Sequence, residues 1–165
     1  MENIQQIETA YGSIEVKDAT FYENGNLKTA EPMEPVFIKH ETGLYIAYDD
    51  TPLKDEEHLP TLELSEDGSI KALRTVGTGL ICIPKEGKAF RIEAQWRPDP
   101  RDTGANVIIP IYIRFSKDDI YVIDSDGKEI RLPLKDYDIE VDYVTDNIVK
   151  ASGCGDCSTC NGCSR

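Results

Sequence analysis

Three observations predict a mostly-β protein of repeated antiparallel hairpins, forming a twisted sheet, a sandwich or a partly closed barrel, with an irregular Cys-rich C-terminal tail. Apolar and polar residues alternate with period two in many short runs. Asn-Gly and Asp-Gly pairs punctuate those runs. No stretch longer than about two turns carries apolar residues at i, i+3, i+4 and i+7, and nine scattered prolines work against long helices.

The runs follow one another along residues 11–149. Ile14-Glu15-Val16, Leu44-Tyr45-Ile46, Leu62-Glu63-Leu64 and Phe90-Arg91-Ile92 alternate in this way. β-branched and aromatic residues dominate these runs, as half-buried strands prefer. Val107 to Phe115 is a longer β-rich run, and Pro110 within it implies an edge, a bulge or a strand start. Ile139 to Val144 closes the body with a further alternating stretch. Asn24-Gly25, Asp67-Gly68 and Asp126-Gly127 predict three hairpins, because these pairs tolerate the positive φ values of a type I′ turn. A fourth turn is expected at Lys85–Lys88, and surface loops at residues 97–106 and 49–60.

Two hairpins are related. Phe21-Tyr22-Glu23-Asn24-Gly25-Asn26-Leu27-Lys28 aligns with Leu64-Ser65-Glu66-Asp67-Gly68-Ser69-Ile70-Lys71. Gly-led strands also recur at Tyr11-Gly12-Ser13-Ile14, Thr42-Gly43-Leu44-Tyr45 and Thr78-Gly79-Leu80-Ile81, and Phe115 to Ile120 suggests a degenerate third hairpin. Repetition of this size points to stacked β units that share a buried face. The first unit resembles the core of MORN-variant repeats, and a group of bacterial repeat proteins with Phe-Tyr-Glu-Asn-Gly-x-Leu-Lys units. The resemblance covers about residues 11–83. It implies a β-repeat scaffold used for interactions, and it transfers no catalytic residue.

The chain has 165 residues, enough for one body with a proper core. Its 31 acidic against 18 basic residues give a net charge of −13. That balance argues against nucleic acid and against anionic membrane surfaces, both of which call for Lys and Arg. No apolar run approaches the ~20 residues of a membrane span. Met1 to Gln6 has neither the basic start nor the apolar stretch of a signal peptide, so a cytoplasmic location is expected.

Composition divides the chain into a hairpin body, 1–150, and a tail, 151–165. The tail holds no Leu, Ile, Val or aromatic residue, so apolar burial cannot organise it. Four of the five cysteines lie there, Cys154, Cys157, Cys160 and Cys163, in a strict C-x2-C-x2-C-x2-C run. Thiolates are soft ligands suited to zinc, copper(I) and iron–sulfur clusters. Cys154, Cys157 and Cys160 match the tripod spacing of an iron–sulfur cluster, and Cys163 extends it one step. A single zinc ion held by all four needs a tighter wrap than two knuckles across a longer loop. Overlapping C-x2-C units also suit dithiol–disulfide chemistry or covalent modification. Cys82, inside Leu80-Ile81-Cys82-Ile83, reads instead as a small buried hydrophobe.

Other candidates carry less. His40 shares strand parity with Ile38 and is expected half-buried; His58 lies in the acidic loop. Neither has a Ser or Cys partner at a recognisable spacing. Asp124 to Glu129 resembles the start of a calcium loop but lacks its later ligands, so a hairpin turn is expected. Asp49, Asp50, Asp55, Glu56 and Glu57 read as a solvated acidic loop, with a cation or basic partner as the alternative. Trp96 reads as a core residue, with an interface anchor as the alternative.

The expected function is a non-catalytic binding or accessory protein whose tail holds an iron–sulfur cluster or zinc. Two alternatives are a redox-active or modified tail on a β docking domain, and a β-rich subunit of a larger assembly pairing through edge strands. A protein partner or self-assembly is expected in each case.

Overall fold

The computed structural model describes residues 4–49 and 59–144. Among them are fifteen strands and no helix. β1 (Gln5–Thr9), β2 (Gly12–Phe21), β3 (Leu27–Pro32), β6 (Leu62–Leu64), β7 (Ile70–Thr75), β12 (Ile111–Phe115), β13 (Asp119–Ile123) and β14 (Glu129–Pro133) form one open sheet in the order β1-β2-β3-β6-β7-β12-β13-β14. Every pairing in it is antiparallel. β4 (Val36–His40) pairs with β5 (Gly43–Ala47). β8 (Thr78–Pro84) lies between β9 (Phe90–Ile92) and β15 (Tyr137–Tyr143). β10 (Gln95–Pro98) pairs with β11 (Asn106–Ile109). None of these sheets closes on itself.

The expected all-β class and its hairpins are present, and the alternation explains them. β13 buries Ile120 and Val122 while its other residues stay partly exposed; β4 buries Val36 and Ile38 against exposed Phe37 and Lys39. The inward residues of the large sheet form one continuous cluster with those of the smaller sheets. Val16, Leu62, Leu73, Ile111, Ile113, Ile120 and Leu132 meet Ile38 and Tyr45 of the β4–β5 hairpin and Leu80 and Cys82 of β8. A second layer therefore covers the apolar face of the first, as any half-apolar sheet needs in water. Pro110 ends β11 and separates it from β12, so the single run Val107–Phe115 supplies strands to two different sheets.

The three Asn/Asp-Gly hairpins exist, but they are not type I′ turns. Tyr22 N–H donates to Asn26 O at 2.9 Å and Gly25 N–H to Tyr22 O at 3.0 Å; the same pair of bonds recurs at Ser65–Ser69 and Asp124–Lys128. Only the glycine has positive φ in each: 90° at Gly25, 91° at Gly68 and 82° at Gly127. This is the three-residue loop, a type I turn closed by a left-handed glycine. The Asn or Asp keeps negative φ; in the first two turns it caps the loop, with Asn24 Oδ1 accepting the Asn26 N–H at 2.9 Å and Asp67 Oδ1 the Ser69 N–H at 3.0 Å, and in the third Asp124 does so. The first two turns sit side by side. Tyr22 Oη donates to Leu64 O at 2.8 Å and Asn26 Nδ2 to Glu66 O at 2.9 Å.

The loop expected over residues 97–106 is shorter than that, because Arg97 and Pro98 already pair with Val107 and Asn106. β2 carries a bulge between Lys17 and Thr20, where Asp18 takes φ 53°. Bulges bend the strand that holds them. The β1–β2 hairpin packs its Ile7 and Tyr11 against the shared core, and Tyr11 Oη accepts the N–H of Ile70 at 2.8 Å.

Asp49 is not a solvated member of an acidic loop. Its side chain is fully buried and pairs with Arg74 Nη2 at 3.0 Å, while Arg74 Nη1 donates to Leu59 O at 3.1 Å. One guanidinium thus ties both flanks of residues 50–58. Removing it takes the ion-pair partner from a buried carboxylate, so Arg74→Ala is expected to cost about 3–5 kcal/mol in denaturant unfolding. Gly43 marks the close approach of β5 to β15. Its φ is +151°, and a Cβ there would stand 2.5 Å from Val141 Cγ2. Gly43→Ala is expected to lose about 1–3 kcal/mol. The loss should shrink in a Val141→Gly background, which a double-mutant cycle reads directly.

Candidate functional site

The four thiols Cys154, Cys157, Cys160 and Cys163 lie outside the described residues, as does His58. The polypeptide leading to them leaves from β15, whose Tyr143 pairs with Thr78, and Val144 N–H donates to Gly77 O at 3.0 Å. Cys82 is in the core, as its apolar surroundings imply. It is fully buried on β8, and burial pushes its thiol pKa up to about 11. It stays protonated and unreactive at neutral pH, since the thiolate is the nucleophile and the metal ligand.

Among the described residues, no three His, Cys, Asp or Glu side chains gather as a metal site. The calcium-like segment is a turn: Asp124 Oδ1 accepts the N–H groups of Asp126 and Lys128, each at 2.9 Å. Asp126 itself is held by the Arg97 guanidinium in a two-bond fork, both at 3.1 Å, and these bonds hold its carboxyl below the usual carboxylate range. This turn and β9–β10 border a groove of about 650 Å³. Its arginines are ion-paired, Arg91 with Glu93 and with Asp142 outside the groove, and Arg131 with Asp119, also outside it. Trp96 lies beside it on β10 and is 43% exposed, not a core residue. Its strand belongs to the two-stranded sheet, where Trp96 lies opposite Ile108 and so shares its face, but only Ile108 is buried there.

A second cleft lies at the other end of the large sheet, where the turns β4–β5, β6–β7 and β12–β13 come together with Tyr11. Its volume is about 450 Å³, and Lys39, His40, Glu41, Ser65, Ser69, Ser116 and Lys117 line it beside Phe115. His40 is the histidine whose strand parity predicts half-burial, and it is half-buried. Its ring packs on Phe115 with centroids 4.5 Å apart, and Phe115 meets Tyr45 edge-on at 4.9 Å.

The hydrogen bonds fix the imidazole tautomer. Thr42 N–H donates to His40 Nδ1 at 3.2 Å, so Nδ1 carries the lone pair and Nε2 the proton. Thr42 Oγ1 stands 2.9 Å from the same nitrogen and 2.7 Å from Tyr45 Oη. Burial raises the Tyr45 pKa to about 12, so this hydroxyl keeps its proton. A run Tyr45 → Thr42 → His40 satisfies every one of these atoms. Burial also lowers the His40 pKa, with Glu41 opposing in part. Sequence reasoning placed His40 but missed its neighbours, which come from turns far apart in the chain.

No helix among the described residues is long and apolar enough to cross a membrane. Comparison with protein-family models, with curated proteins and with solved structures finds no match to this chain.

The lowered His40 pKa sets a pH dependence. The unfolded chain takes up a proton near the ordinary value of 6.5, and the folded chain resists it. Stability contributed by neutral His40 is therefore complete above that value and declines as pH falls towards the lowered folded pKa. Between pH 7.5 and roughly pH 5, denaturant unfolding of the wild type should lose stability more steeply than that of His40→Gln. Parallel curves would rule this out.

Proposed function

We propose that this chain is a non-catalytic binding or accessory protein that carries a metal or iron–sulfur centre on Cys154, Cys157, Cys160 and Cys163. The observation that carries the reading is the unbroken three-residue spacing of four thiols in a segment without apolar side chains. Such spacing presents three ligands to a cluster or four to an ion, and the intervening glycines let the backbone wrap it. Two features of the body support the reading. Its fifth thiol is buried and protonated, which leaves thiol chemistry to the tail. Its core is assembled by its own strands, so the tail is not needed to fill it.

The hairpin scaffold, with its likeness to MORN-variant repeats, then serves as the docking body for a protein partner. A second reading makes the chain a β-rich subunit of a larger assembly. It is favoured by large apolar side chains facing solvent, Phe37 at 56% and Phe21 at 45% exposure. Redox or modification chemistry on the same thiols is the competing account of the tail.

Anaerobic purification with metal analysis and an absorption spectrum separates these readings. The wild type should carry iron or zinc in stoichiometric amount, with visible absorption if the centre is iron–sulfur. A chain ending at Lys150 should carry none. A colourless, metal-free wild type that resists reconstitution would sink the metal reading. Disulfides or adducts found on the tail by mass spectrometry would then establish the thiol reading. Large particles that survive loss of residues 151–165 would establish the assembly reading.

A further inference from the structure

The cleft beside His40 gathers hydrogen-bond donors in a chain whose net charge is −13. Lys39, on β4, and Lys117, in the β12–β13 turn, line it, and neither is ion-paired among the described residues. The Tyr11 hydroxyl already accepts the Ile70 N–H, so its own proton is free to point elsewhere. His40 has its Nδ1 lone pair occupied by Thr42, which leaves Nε2–H as a second fixed donor. The hydroxyls of Ser65 and Ser116 add adaptable donors. Against these stands one carboxylate, Glu41.

We propose that this cleft binds the phosphate group of a small organic phosphate. Two lysines, a phenol, an imidazole N–H and two serine hydroxyls line it from β4 and from the β1–β2, β6–β7 and β12–β13 turns. A tetrahedral oxyanion with three peripheral oxygens accepts bonds from such a spread of directions, and bonds from charged donors are the stronger kind. The volume exceeds what a bare phosphate fills and suits a small molecule. The rings of Tyr11, His40 and Phe115 supply an apolar wall for an organic, planar remainder. The proposal is independent of the tail, whose thiols take no part in it.

The test is an amide-resolved NMR titration of the full chain, first with inorganic phosphate and then with phenyl phosphate, at fixed ionic strength. Saturable shifts should be confined to residues 39–42, 65–70 and 115–118. Phenyl phosphate should bind more tightly than phosphate, and benzoate more weakly than phenyl phosphate. The double variant Lys39→Gln, Lys117→Gln changes only exposed side chains, and it should weaken phenyl phosphate about tenfold. Added salt should weaken binding too. The proposal is overturned by shifts scattered over the surface, by affinity unchanged in the double variant, or by benzoate binding as tightly as phenyl phosphate.

Discussion

The pairing of β12 with β7 is the join on which the rest of the body depends. Ile113 lies opposite Leu73 and Ile111 opposite Thr75, and all four are fully buried. On one side of this seam the sheet runs back through β6, β3, β2 and β1; on the other it runs out through β13 and β14. The contact links segments far apart in sequence, so its closure entropy must be met before its burial is gained. What makes it worthwhile is the apolar face it completes. That face is continuous across the seam, and the chain supplies its own cover in β4–β5 and in β9-β8-β15.

This arrangement also decides where chemistry can sit. Strand interiors are committed to packing, as Cys82 illustrates: a thiol with its pKa raised by burial contributes volume and nothing else. The polar turns are left at the two ends of the large sheet. At one end the charges neutralise each other in forks such as Arg97 with Asp126. At the other, lysines, hydroxyls and a neutral histidine share an open cleft.

Much of the body was legible in the sequence because turns and alternation are local. The Gly at each Asn/Asp-Gly pair, the Gly-led strands and the break at Pro110 all sit where the residues placed them. The turn type was not legible, since one added loop residue shifts positive φ onto the glycine alone. Trp96 was misplaced because β10 belongs to the small two-stranded sheet, whose face buries Ile108 but leaves its register partner Trp96 exposed. The burial of Asp49 was hidden by its acidic neighbours and by a partner, Arg74, on another strand. The cleft was hidden for a related reason. Its residues look like ordinary loop composition, and only the order β6-β7-β12-β13 brings Ser65, Ser69, Ser116 and Lys117 together. Local rules cannot supply that order.

The central claim is a body that folds on its own apolar seam, without need of the four cysteines of residues 151–165. Hydrogen exchange on the full chain and on the full chain with Cys154, Cys157, Cys160 and Cys163 changed to serine tests this most directly. The account predicts that amides of β7, β12 and β13 exchange equally slowly in both, through global unfolding alone. Faster exchange of β7 and β12 in the serine chain would contradict it, because the seam would then depend on the tail's sulfurs.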